Sequence, residues 1–193
     1  MAINLEKGQR ISLKKDTGGK LSRVRMGLGW DVAKVGGLRG FLGGGGSVDL
    51  DASCVMFDEA GRAVDTIYYG QLYSNDGSIV HTGDNLTGAG EGDDEQIIVD
   101  LDRVSPNVRA LVFVVNSFTG QTFDKVENAF CRILDEDTGN EVARYNLSGR
   151  GNHSAQVMAK VYRHGGEWKM HAIGENATGR TFRELMPVMT ANL

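Results

Sequence analysis

The chain has 193 residues, 40% hydrophobic and 24% charged, with a net charge of −4; that length suits one domain with a core able to fold alone. Its 27 glycines against 2 prolines exclude a proline-rich linker, and the glycines keep no triplet period, which excludes collagen. The mild total hides a partition: residues 1–46 carry nine Lys/Arg and three Asp/Glu (+6), residues 47–102 one and thirteen (−12), and residues 103–193 eleven and nine (+2). An acidic middle asks for cations and argues against a nucleic-acid binder, which needs a basic stripe.

From the N-terminus, no basic-then-apolar leader precedes the first polar residues, and no stretch approaches 18 apolar residues, so a cytoplasmic protein is expected. Val24-Arg-Met-Gly-Leu-Gly-Trp30 alternates with period two, the pattern of a half-buried strand, and ends on Asp31. Gly36–Gly46, with seven glycines in eleven residues, reads as a mobile loop before the next strand. In Ser47–Phe57, Val48, Leu50, Ala52, Cys54 and Met56 share one face, while Asp49 and Asp51 lie on the other. Two carboxylates at the start of a strand stand where a sandwich carries its sites; the plain alternative is the solvated face of an edge strand.

Further strands are expected over Ala63–Tyr69, Gln96–Leu101, Ala110–Val115, Ala129–Leu134, Glu141–Leu147, Ala155–Tyr162 and Glu167–Ile173. Turn signals at Glu59–Arg62, Asn75–Gly77, Asp137–Asn140 and His164–Gly166 separate them. Phe123–Asn128 is read as a short helical turn, and Thr181–Met189 as a C-terminal helix interrupted by Pro187. Cys54 and Cys131, 77 positions apart in apolar-alternating runs, read as reduced core residues. The pattern is all-β: a β-sandwich of about ten short strands with a short C-terminal helix, one domain over 1–193 with residues 174–193 as an extension.

The densest feature is Gly83-Asp-Asn-Leu-Thr-Gly-Ala-Gly-Glu-Gly-Asp-Asp-Glu95, with five carboxylates and one Asn amide in thirteen residues. Glycines let a backbone wrap a small ion, and hard oxygen donors suit Ca²⁺ better than Mg²⁺; the absence of His or Cys within the run disfavours zinc. The stretch is not an EF-hand, since Leu86 and Gly88 fall where oxygen ligands belong. An acidic surface turn is the plain alternative. The four histidines show no metal-ligand spacing, and His81 is read as a turn histidine, with a supporting role beside Asp84 as the alternative.

Four motifs come in a distinctive order: Gly27-Leu-Gly-Trp-Asp31, Asp49-Leu-Asp-Ala-Ser53, the acidic run Gly83–Glu95, and Asn128-Ala-Phe-Cys-Arg132. Together they resemble the TerD family of tellurium-resistance and stress-response proteins. Asp49-Leu-Asp-Ala-Ser-Cys54 with Asn116-Ser-Phe-Thr-Gly-Gln-Thr-Phe123 is most similar to its TerZ branch. The resemblance implies a β-sandwich binding a pair of Ca²⁺ ions through acidic loops at one end. Carried over by motif, the ligand candidates are Asp31, Asp49, Asp51, Asp84, Asn85, Glu91, Asp93, Asp94 and Glu95. It further implies no accepted enzymatic reaction, and protein partners that include other tellurium-resistance proteins.

The expected function is therefore a calcium-binding, non-catalytic module whose acidic loops present a partner-binding surface once ordered by Ca²⁺. Two alternatives stand beside it. One is a hydrolase working through paired or metal-bound carboxylates, Asp49 or Asp51 with Glu91 or Glu95. The other is a sandwich that docks on anionic membrane in a Ca²⁺-dependent way.

Overall fold

The computed structural model describes residues 2–14, 19–32, 49–83, 93–146 and 151–193; the glycine-rich Gly36–Gly46 stretch lies outside them. Among the described residues the strands are β1 (Ile3–Asn4), β2 (Arg10–Ser12), β3 (Arg23–Val32), β4 (Leu50–Asp58), β5 (Ala63–Ile67), β6 (Ile79–His81), β7 (Glu95–Asp100), β8 (Val108–Ser117), β9 (Val126–Asp135), β10 (Glu141–Asn146), β11 (Ala155–His164) and β12 (Glu167–Ala177). One helix, α1 (Phe182–Ala191), follows them.

The strands form two six-stranded sheets. Sheet A has the order β1-β10-β9-β3-β7-β6 and sheet B the order β2-β12-β11-β8-β4-β5. The β1–β10 pair is parallel and the other pairings are antiparallel. The two sheets enclose a core because alternate residues point inward: Val24, Met26, Leu28 and Trp30 from β3, Leu50, Ala52, Cys54 and Met56 from β4, Leu111, Phe113 and Val115 from β8. The β-sandwich expected from the period-two runs is the fold observed. Both cysteines are free and buried, and burial pushes the Cys131 thiol up to about 12.

Sheet B carries a second apolar layer on its outer face. Val55, Phe57, Val112, Val114 and Val157 pack there under Leu185 and Met189 of α1. This explains the unbroken run Ala110–Val115, which has no polar face because neither side meets water. Each aliphatic side chain so covered contributes about 1.5–3 kcal/mol.

Three details differ from the sequence reading. Pro187 does not interrupt the helix, which continues to Ala191. The proline and Arg183, whose carbonyl loses its i→i+4 donor, both face solvent, while Leu185 and Met189 on either side of the proline anchor the helix on the sheet. The helical turn after Gln121 is a single 3₁₀ turn over Phe123–Lys125, and β9 already begins at Val126. Strands β1, β2 and β6 were not expected; at two or three residues each they are too short to show a period, and all three lie at sheet edges.

The expected turns are where β-strands reverse. The β11–β12 hairpin closes on Gly165 and Gly166, both at positive φ (60° and 77°), the two-residue loop whose twist matches antiparallel strands. The connection from β5 to β6 is held by Asp76, whose carboxylate accepts from the Ser74 and Ser78 hydroxyls and from the backbone N–H of Ser78 and Ser105 at 2.6–3.0 Å. Burial pushes its pKa up, but the hydrogen bonds from Ser78, Ser105 and Ser74 outweigh burial and hold it at about 2.

A carboxyl depressed on folding stabilises above its unfolded pKa and loses that contribution as pH falls through the folded value. Asp76→Asn should therefore lower unfolding free energy at pH 7 by about 1 kcal/mol, discounted for the residue's exposure. The gap to wild type should close between about pH 4 and pH 2 in urea titrations. A gap that persists unchanged at pH 2 would contradict the assignment.

Candidate metal centre

One end of the sandwich gathers the acidic strand ends. Strand β3 finishes there at Asp31 and Val32, β6 finishes at His81, β7 begins at Glu95, and β4 begins at Leu50, just after Asp49. Register fixes the neighbours: Leu28 pairs with Glu95 and Asp31 with Glu127. The stretch holding Asp84, Asn85 and Glu91 joins β6 to β7 at this end; those three candidates lie outside the described residues.

Three consecutive carboxylates take three directions. A bend at Asp94 folds Asp93 back over the outer face of sheet A. There Asp93 accepts from Arg132 Nε at 2.8 Å, with its side chain only 2% exposed, and Arg132 also pairs with Glu141 at 3.1 Å. Asp93 sits directly above Gly27, where any Cβ would collide with its carboxyl. Asp94 stays at the strand edge. Its N–H donates to the Leu28 carbonyl, and its Oδ2 accepts the Trp30 N–H at 2.8 Å. That N–H is available because it faces the β7 side of β3, where the pairing ends at Leu28 and Glu95.

Glu95 turns inward and is 1% exposed. Its Oε2 crosses from sheet A to sheet B and accepts the Ala52 N–H at 2.6 Å. Strand β5 pairs with β4 only from Cys54 onward, so the β4 edge at Ala52 is open to a donor–acceptor contact from the other sheet. The same Oε2 lies 3.5 Å from His81 Nε2, both side chains buried. His81 Nδ1 accepts the Gly83 N–H at 3.1 Å, so a neutral imidazole carries its proton on Nε2, facing the carboxylate. His81 is thus a buried strand residue beside Glu95 and not a turn histidine; its place in the Ile79-Val80-His81 alternation was the signal available in the sequence.

Asp49 is half-buried ahead of β4. Asp51 is buried on the outer face of sheet B, as its alternation with Leu50 and Ala52 requires. It accepts from Asn116 Nδ2 at 3.3 Å, and the same amide reaches the Arg180 carbonyl at 2.8 Å. The reading of Asp49 and Asp51 as a solvated edge-strand face does not hold for Asp51, which is buried against Asn116. The structure therefore brings Asp94 and Glu95 to one rim with the ends of β3 and β4, and sends Asp93 and Asp51 to opposite outer faces. Among the described residues no three His, Cys, Asp or Glu side chains form a group that could hold a metal ion.

The TerD domain model matches residues 1–187. This chain belongs to the TerD family. Tellurium resistance protein TerZ of Serratia marcescens is 48% identical over 184 residues, covering 95% of this chain and 94% of that protein. Stress response protein SCP2 of Bacillus subtilis is 46% identical over 201 residues, covering 96% and 98%. The crystal structure of a TerD homologue from Streptomyces coelicolor superposes with a TM-score of 0.72 at 21% identity, covering 88% of this chain and 98% of that one. The family and the sandwich read from the motifs are both observed in this TerD-family chain.

The seat of Asp93 makes a sharp prediction. Gly27→Ala and Asp93→Ala should each destabilise by about 2 kcal/mol, the first by displacing the carboxyl and the second by leaving Arg132 without it. The double variant should cost clearly less than the sum, because a truncated residue 93 leaves room for the new Cβ. Additive losses in a denaturation cycle would show that the two do not touch.

Proposed function

We propose that this TerD-family protein is a calcium-binding, non-catalytic stress-response module whose acidic rim, once loaded, presents a surface to a partner protein. The observation that carries the reading is the convergence of the β3, β4, β6 and β7 ends on one rim, with Asp94 and Glu95 each tied by one oxygen to a backbone N–H of a neighbouring strand. Those bonds fix the carboxylates in place beforehand, and a carboxylate that accepts one N–H keeps further lone pairs for a cation.

The donor set is of the right kind. Asp94 and Glu95, with Asp31, Asp49 and the Asp84, Asn85 and Glu91 oxygens carried by adjoining connections, supply hard oxygens only, as Ca²⁺ prefers. When bound, the ion supplies positive charge that offsets repulsion among the rim carboxylates. His81 lies 3.5 Å behind the Glu95 carboxylate, and Arg132 withdraws Asp93 from the rim. Asp51 faces the other side of sheet B and belongs to a separate environment. A cytoplasmic setting is supported by the two free, buried thiols. The resistance and stress-response names of the relatives support a binding role over catalysis.

Saturating Ca²⁺ at a hundredfold above Kd should add about 2.7 kcal/mol and raise Tm by about 5–10 °C relative to EGTA. Asp49→Ala combined with Asp84→Ala should abolish that rise and weaken the calorimetric affinity for Ca²⁺. A melting temperature equal in Ca²⁺ and EGTA overturns the proposal.

A further inference from the structure

The outer face of sheet B is covered by α1 over β4, β8 and parts of β11 and β12, and past the helix end it carries a row of basic side chains. His171 on β12 pairs with Arg10 of β2 on one side and with Lys160 of β11 on the other. Met170 and Ala172 flank His171 in sequence and point into the core, as do Ile11 and Val161, so Arg10, His171 and Lys160 share the outer face. Side chains directly opposed across antiparallel strands have Cβ atoms about 4.5–5.5 Å apart. One step along the ladder, Lys169 stands between Ser12 and Tyr162 on the same face.

Among the described residues no acid pairs with the row. The carboxylates of β12 are engaged elsewhere, Glu167 with Lys14 at 3.1 Å and Glu175 with Lys7 at 3.3 Å. Among the described residues neither Arg10 nor Lys160 has a carboxylate within ion-pairing distance. From α1 the row receives a carbonyl: Lys160 Nζ donates to the Asn192 oxygen at 2.6 Å, which leaves the ammonium two further N–H groups. Like charges set side by side on a sheet repel. Burial first, then Arg10, lowers the Lys160 pKa; burial, then Arg10 and Lys160, lowers that of His171. His171 Nδ1 is itself buried with no hydrogen-bond partner among the described residues.

We propose that the row Arg10–His171–Lys160, with Lys169 beside it, binds a small divalent oxyanion of the phosphate or tellurite type. The guanidinium fork of Arg10 grips two oxygens, the ammonium groups add point charges, and the imidazole donates one N–H. A doubly negative guest offsets the repulsion between the basic side chains of the row. The chemistry suits a family with members named for tellurium resistance, and the site is separate from the acidic rim, lying on a different face of sheet B.

The test titrates the full chain in EGTA-containing buffer with sodium phosphate and, separately, with sodium tellurite, following backbone and imidazole resonances by ¹⁵N NMR. Saturable shifts at Arg10, Lys160 and His171 with either anion support the proposal, and the tighter of the two identifies the anion served. Arg10→Gln should fold normally and weaken binding by about ten- to a hundredfold, the loss expected for one charge-assisted contact. Lys7→Gln, outside the row, should bind as wild type. Resonances of the row that stay put at 10 mM of both anions, or an affinity that Arg10→Gln leaves unchanged, would overturn it. Because no calcium is present, the outcome is independent of the rim.

Discussion

A carboxylate buried between two sheets is the constraint on which the acidic end depends. Glu95 is 1% exposed, and an ionised carboxyl taken that far from water must find charged or polar company or change its protonation. The fold provides company from both sheets: the Ala52 N–H from β4 and the imidazole of His81 from β6. That requirement fixes other features. Strand β5 must stop short of Ala52, His81 must carry its proton on Nε2, and Gly83 must follow closely enough to hold Nδ1. The start of β7 is thereby pinned to the start of β4, and the two sheets share one rim.

The same economy shows in how a sheet edge is closed. Strand β5 ends sheet B, and its Thr66 N–H is met by the Asp65 carboxylate, which also accepts from Gln71 and Asn75. An edge N–H capped by its own neighbour's carboxylate offers no template to a second chain. Asp65 and Asp76 thus account for part of the −12 balance of residues 47–102 with purely architectural work. The count of acids in that segment overstates how many are available to a cation.

Fold was legible from the sequence because period two survives wherever a strand has one buried face, as in Val24–Trp30 and Ser47–Phe57. It was less legible where both faces are covered. Ala110–Val115 announces burial but not the helix that covers its outer side, and nothing in the Thr181–Met189 pattern says that Leu185 and Met189 anchor firmly enough to carry a proline. The site was legible as a cluster of residue types and illegible as geometry. Asp93, Asp94 and Glu95 are neighbours in sequence, yet an acid's role depends on a bend at Asp94, a glycine far off in sequence at position 27, and an arginine on β9. Such long-range partners leave no local period to read. Gly27 and Arg132 both stood within the family-bearing motifs without a role attached to either.

Position relative to β4 also bears on the number of ions. Asp51 projects from the outer face of sheet B toward Asn116 and the start of α1, whereas Glu95 approaches β4 from sheet A. The strand backbone stands between them, so no single small ion draws on both. A pair of ions, as the resemblance implies, must then divide the candidates into a set on the Glu95 side and a set on the Asp51 side. The residue placed to serve at the boundary is Asp49, half-buried where β4 begins and not yet committed by strand alternation to either face. Under the proposed calcium-binding reading, stoichiometry is a question about β4: one ion if only its sheet A side is used, two if Asp51 exchanges the Asn116 amide for a cation.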